Sequence, residues 1–177
     1  GAAYLAATAA ARSGAGLVTL AIPESLQTAV AAKAVEPIYL PLAESSPGVL
    51  SQAAADQIIE RLPGYDALLV GCGVGQALET LGVIERLLYS DRPMPPTVVD
   101  ADGLNCLARS RDPGWWTKFE HQAIVTPHPG EMARLTGATA ALVQEERIGQ
   151  AIESAVKWTK VVVLKGAYTV VALPSGR

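Results

Sequence analysis

Four short apolar runs constrain this chain more than any other feature: Ala67-Leu68-Leu69-Val70, Thr97-Val98-Val99, Ala123-Ile124-Val125 and Val161-Val162-Val163-Leu164. None of them alternates polar with apolar residues. Unbroken β-branched runs suit strands buried on both faces, as in a parallel sheet. Residues 17–22 make a fifth candidate. Half of the 177 residues are hydrophobic, which is enough apolar surface to cover such a sheet on two sides.

Between the runs the apolar period lengthens. Leu50, Ala54, Ile58 and Leu62 form one stripe, Leu78, Leu81, Ile84 and Leu88 a second, and Ile148, Ile152 and Ala155 a third. Each predicts a helix with one buried face. Residues 2–12 are mostly alanine, which favours helix and permits close packing. Strand and helix in alternation predict a three-layer α/β/α domain around a mostly parallel, doubly wound sheet. One domain over residues 1–177 is expected. Residues 42–48 read as a surface loop. After Gly166, Tyr168, Val170 and Ala172 alternate with Thr169, Val171 and Leu173, which predicts an antiparallel partner strand near the C-terminus.

Composition removes several classes. Fourteen basic against 17 acidic residues leave a net charge of −3, with no basic field for a nucleic-acid backbone. No apolar run approaches the roughly 20 residues that span a bilayer, so no membrane partner is expected. Cys72 and Cys106 follow neither metal nor disulfide spacing. Reduced thiols in a cytoplasmic protein are the expectation. Gly1 in place of an initiator Met, and the turn-like Pro174-Ser175-Gly176-Arg177, suggest that both ends are cut.

The four strands end in unusual residues: Gly71-Cys72-Gly73-Val74-Gly75, Asp100-Ala101-Asp102-Gly103-Leu104-Asn105, Thr126-Pro127-His128-Pro129-Gly130-Glu131 and Lys165-Gly166-Ala167-Tyr168-Thr169. In a parallel sheet all strand C-termini share one edge, where ligands of open α/β sheets bind. The glycines allow a tight turn and close backbone approach, and the helix after them offers N–H groups to an anion. A third dinucleotide-fingerprint glycine is missing, since Leu78 stands there. Asp100 sits at a strand tip, able to hold Mg²⁺ through water or to orient a hydroxyl, while Asp102 reads as a helix N-cap. His128, fixed between two prolines, can bond a substrate amide or hydroxyl. Glu131 complements a helix N-terminus. Lys165 suits phosphate oxygens, and Thr169 adds a hydroxyl. His121 lies at the opposite edge and reads as structural. Trp115 and Trp116 read as a helix anchor, and Cys72 as an unreactive small core residue.

These segments, with Gly1-Ala2-Ala3 and Arg12-Ser13-Gly14-Ala15-Gly16-Leu17-Val18-Thr19, resemble the ADP- or ATP-dependent NAD(P)H-hydrate dehydratases of the ribokinase-like fold, in the family's order along the whole chain. The resemblance implies repair of hydrated NADH or NADPH: the 6-hydroxyl is phosphorylated by ADP or ATP with Mg²⁺, and phosphate is then eliminated. It implies substrate contacts at Ala2, Gly71, Gly73, Gly75, Asn105 and His128. Catalytic roles fall to Asp100, His128 and Glu131, and nucleotide contacts to Lys165, Gly166, Ala167, Tyr168 and Thr169. Glu131 would organise Mg²⁺ indirectly. A homo-tetramer and a fused or partner epimerase go with the family.

Two departures stand out. Cys72 replaces a proline usual in the family. The family's glycine-rich anion hole and catalytic Asp follow the Lys-Gly pair and are not reached by Arg177. The resemblance therefore implies no turnover by these 177 residues alone. Other readings are a ribokinase-like kinase of a small alcohol or vitamin precursor, an NAD-dependent oxidoreductase, and a non-catalytic nucleotide-binding domain.

Overall fold

The computed structural model describes residues 1–112 and 114–177. The four apolar runs become the parallel strands β5 (Leu68–Val70), β6 (Thr97–Val99), β7 (Ala123–Val125) and β8 (Val161–Leu164), hydrogen-bonded in that order. The alternating tail supplies β9 (Val170–Ala172), antiparallel to β8, with Leu164 opposite Val170. The predicted parallel pairing and the antiparallel pair are both present.

The helical stripes fold as α1 (Ala2–Arg12), α3 (Ala53–Arg61), α4 (Leu78–Leu88) and α9 (Arg147–Trp158); α2 (Gln27–Ala31), α5 (Asp102–Ala108), α6 (Trp115–Lys118), α7 (Pro129–Thr136) and α8 (Ala140–Glu145) complete the set. Helices α4, α5, α7 and α9 lay Ile84, Leu88, Leu104, Leu107, Met132, Ala151 and Ala155 against Val99, Val125, Val162 and Leu164, all nearly or wholly buried. At about 25 cal/mol per Å² of apolar surface, this cluster is the main source of stability. Trp115 anchors α6 as predicted: it is 2% exposed and packs on Trp158 with ring centroids 5.2 Å apart. Pro113 lies outside the described residues.

Burial on both faces is only partly met. Leu69, Ile124 and Val171, on the opposite face of the five-stranded sheet, are 48%, 38% and 58% exposed. Helices flank both sides where β1 (Thr19–Pro23) pairs in parallel with β2 (Ile38–Leu42) as a separate two-stranded sheet. There Leu20 and Ile22 pack with Ala7 of α1, and Ala21, Leu40 and Leu42 pack with Ala54 and Ala55 of α3.

The predicted surface loop at 42–48 is corrected. It holds a short hairpin, β3 (Glu44–Ser46) with β4 (Val49–Leu50). The Glu44 carboxylate organises it, accepting from the Ser25 N–H at 3.0 Å, the Ser25 hydroxyl at 2.7 Å and the Gly48 N–H at 2.5 Å. Strand β2 escaped the sequence reading because Pro41 interrupts its apolar run. Pro is tolerated there because β2 is an edge strand. Among the described residues no helix is long and apolar enough to cross a membrane.

Candidate active site

Hydrogen bonds continue across the sheet just past the strand ends. The Asp100 N–H donates to Val70 O at 3.1 Å, the Thr126 N–H to Val99 O at 3.2 Å, and the Lys165 N–H to Pro127 O at 2.8 Å. These bonds set the loops after β5, β6, β7 and β8 side by side. Asp100 and Lys165, just past β6 and β8, thereby meet Glu131 in the first turn of α7: Lys165 Nζ is 2.5 Å from Asp100 Oδ1 and 4.0 Å from Glu131 Oε2.

Asp100 is held from several sides. Ala101 follows it with φ 51° and ψ −120°, an uncommon conformation for a residue with a Cβ. That turn lets the Ala101 N–H donate back to Asp100 Oδ1 at 2.8 Å. Burial pushes the Asp100 carboxyl upward, but the Lys165 ammonium, the Thr126 hydroxyl and the Ala101 N–H outweigh it, leaving the pKa below the usual range. The carboxylate is ionised at neutral pH. Its Oδ2 lies 3.9 Å from the weak Cys72 S–H donor.

His128 and Glu131 cap α7 for each other. His128 Nδ1 accepts from the Gly130 N–H at 3.0 Å and the Glu131 N–H at 3.4 Å, and Glu131 Oε2 accepts from the His128 N–H at 2.8 Å. This is a capping box with histidine in the place of Ser or Thr. Because Nδ1 accepts, the ring proton belongs on Nε2, 3.3 Å from Glu131 Oε1. His128 thus faces outward as a donor, with half its side chain exposed, while Glu131 is 5% exposed.

The glycine loop differs from the sequence expectation. A Cβ on Gly71 would lie 2.0 Å from Asp100 O, so this glycine is required by backbone packing against the start of α5. Gly73, at φ 77°, stands over Ala2, whose Cβ would be 2.9 Å from a side chain there. Two residues 71 positions apart are therefore neighbours. Asp102 is not the expected N-cap; Ala101 holds that position. Its carboxylate instead accepts from the Gly75 N–H at 3.1 Å and Gln76 Nε2 at 2.9 Å. The Gly75 N–H is thus taken, and Asp100 and Asp102 place negative charge beside this loop. Cys72 is also corrected: it is half-buried beside Asp100 rather than in the core. Burial, with the Asp100 charge added, raises its pKa and keeps the thiol protonated. Burial with the Asp102 charge pushes Cys106 up to about 11.

The other end of the edge carries a cation and unengaged N–H donors. Among the described residues none accepts from the N–H groups of Gly166, Ala167, Tyr168 or Thr169, and Lys165 precedes them. The Thr169 hydroxyl donates to Gly166 O at 3.1 Å, and Tyr168 is 84% exposed. Asn105 lies outside the Asp100–Lys165–Glu131 group, its Oδ1 accepting from Arg134 Nε at 2.9 Å. His121 reads as predicted, its Nε2 bonded to Ser90 O at 2.7 Å away from the site.

Among the described residues no three His, Cys, Asp or Glu side chains are grouped to hold a metal ion. Glu131 is engaged by its cap and Asp100 by Lys165, so these residues do not fit a directly ligated divalent ion. Sequence reading missed Arg147, which reaches across from α9 to the Lys165 turn.

The family model described as NAD(P)H-hydrate dehydratase matches residues 1–177. The chain belongs to the NAD(P)H-hydrate dehydratase family. It is 45% identical over 177 residues to the bifunctional NAD(P)H-hydrate repair enzyme Nnr of Moorella thermoacetica, covering 100% of this chain and 33% of that protein. Identity is 33% over 178 residues to the ADP-dependent (S)-NAD(P)H-hydrate dehydratase of Bacillus subtilis, covering 99% and 57%. The solved ADP/ATP-dependent NAD(P)H-hydrate dehydratase of B. subtilis, co-crystallized with ATP/Mg²⁺, superposes with a TM-score of 0.74 at 29% identity, over 99% of this chain and 56% of that one. A ribokinase-like superfamily protein of Enterococcus faecalis shares the fold at a TM-score of 0.74 and 16% identity. The chain spans about a third of the length of the bifunctional relatives that it matches.

Proposed function

We propose that this chain forms the ligand-facing edge of an enzyme that uses ADP or ATP, with Mg²⁺, to dehydrate hydrated NADH or NADPH. One observation carries the reading: Asp100, Glu131 and Lys165 converge within 4.0 Å from three strand ends, beside a turn rich in free N–H donors. The charge order along the edge supports two subsites. Nucleotide phosphates fit Lys165 and the donors of residues 166–169. The uncharged ring of the hydrated cofactor fits the Ala2–Gly73 end, beside the carboxylates of Asp100 and Asp102. Asp100 Oδ2 is placed to accept from a substrate hydroxyl, and His128 Nε2–H to donate to a carboxamide or phosphate oxygen. Glu131 orients His128 and Lys165. Mg²⁺ would arrive with the nucleotide and offset the charge of its phosphates. Phosphorylating a hydroxyl turns a poor leaving group into a good one, which accounts for dehydration on a kinase-like fold. A cytoplasmic site of action, a fused or partner epimerase and a homo-oligomeric assembly belong to the same reading.

The test is an assay of the complete protein with hydrated NADH. Recovery of NADH that depends on ADP or ATP, with one inorganic phosphate released per turnover, supports the proposal. A stable phosphorylated product without elimination would support a small-alcohol kinase instead, and turnover indifferent to nucleotide would overturn the reading.

A further inference from the structure

Helix α9 begins with an arginine, the charge that the positive end of a helix dipole disfavours. Its partners explain the placement. Arg147 Nε donates to Tyr168 O at 3.1 Å, and one terminal nitrogen to Leu164 O and Lys165 O, both at 3.0 Å. The other terminal nitrogen donates to Gln144 Oε1 at 2.5 Å. Four of the five guanidinium N–H groups are thus engaged, three of them on carbonyls at the end of β8 and in the turn to β9. The planar group also lies against Gly166, where a Cβ would be 2.7 Å from one terminal nitrogen and 3.0 Å from Cζ and from the other.

We propose that Arg147 is a positioning residue for the phosphate-bearing ligand of this edge, and that the guanidinium, together with a φ of 159°, restricts residue 166 to glycine. With its carbonyls tied back to Arg147, the turn directs the N–H groups of residues 166–169 and the Lys165 ammonium toward one anion. A lysine cannot do this, because a single ammonium does not span three carbonyls in a fixed plane. The inference rests on the nucleotide reading above.

The test uses the complete protein and its Arg147→Ala, Arg147→Lys, Gly166→Ala and Arg147→Ala/Gly166→Ala variants. ADP with Mg²⁺ is titrated by calorimetry, hydrated NADH is titrated separately, and hydrogen exchange is followed over residues 165–169. Each single variant should weaken ADP binding about tenfold or more, the size expected for loss of charged hydrogen bonds. Affinity for hydrated NADH should be unchanged, and exchange of the turn amides should accelerate. The double variant should lose less than the sum of the two single losses, because the methyl then meets vacated space and only the strain of a side chain at φ 159° remains. Wild-type ADP affinity in Arg147→Ala, or losses that add in the double variant, would overturn the inference. If the unmutated protein fails to bind ADP, the nucleotide reading falls. Exchange then decides the clamp by itself: faster exchange in Arg147→Ala upholds it, and unchanged exchange overturns it.

Discussion

Strand β8 has a lysine at each end, and the two are treated in opposite ways. Lys160, before the strand, is 2% exposed, with its ammonium 5.1 Å from the centre of the Phe119 ring. Among the described residues no carboxylate lies within salt-bridge distance of it. Burial drives its pKa below that of an ordinary lysine, and the charge of Glu120 only partly restores it. Lys165, after the strand, keeps 40% of its side chain exposed and has Asp100 and Glu131 beside it. Burial of a charged group therefore does not mark a site here. What marks it is that carboxylates from two other strand ends arrive at the same lysine. Parallel strands produce that convergence at their C-terminal edge.

Replacing each lysine with methionine separates the two roles. Lys165→Met should have the largest effect: ADP affinity of the complete protein should fall about 100-fold, on the order of 3 kcal/mol, as a charged phosphate contact is lost. Lys160→Met should leave that affinity unchanged. Equal losses from both variants, read by calorimetry, would erase the distinction between the two ends.

Asp100→Asn comes next. It keeps the shape but removes the carboxylate proposed to accept from the substrate hydroxyl, so turnover of hydrated NADH by the complete protein should drop at least about tenfold. It should also change the acid response. The Asp100 carboxyl has a depressed pKa, so its stabilising contribution is present above the unfolded value and lost as pH falls through the folded one. Urea midpoints of the unmutated protein should therefore fall below about pH 4 more steeply than those of Asp100→Asn. Parallel curves would show that the pair contributes nothing to stability.

The smallest effect is expected for Lys160→Met on stability. A buried ammonium with a lowered pKa binds its proton more weakly when folded than when unfolded. Stability therefore rises with pH between the two pKa values. Methionine removes that dependence and should stabilise the fold at neutral pH by about 1 kcal/mol. A clear loss of stability in urea would mean that the ammonium has a structural partner.

The five-stranded sheet was legible in the sequence because its strands are unbroken apolar runs that end in glycine, aspartate, proline or lysine. Asp100, Glu131 and Lys165 were legible for the same reason, since each follows such a run. Exposure of one sheet face was not, because apolar content gives no information on what covers it. Pro41 concealed β2, and the Glu44 contacts to Ser25 and Gly48 that build the hairpin are too irregular for a periodicity to reveal. Asp102 read as a cap because a cap is the local solution; its actual partner, Gly75, is 27 residues away. The proximity of Ala2 to Gly73 has no local signal either, and came only through resemblance. Arg147 did leave a trace, a cation at a helix N-terminus, which is a local conflict that a distant partner must resolve.

The most direct measurement is a crystal structure of the complete protein with ADP and Mg²⁺. Phosphate oxygens within hydrogen-bonding distance of Lys165 Nζ and of the N–H groups in residues 166–169 are predicted. A nucleotide bound with its phosphates at the glycine loop, or away from this edge altogether, would contradict the account.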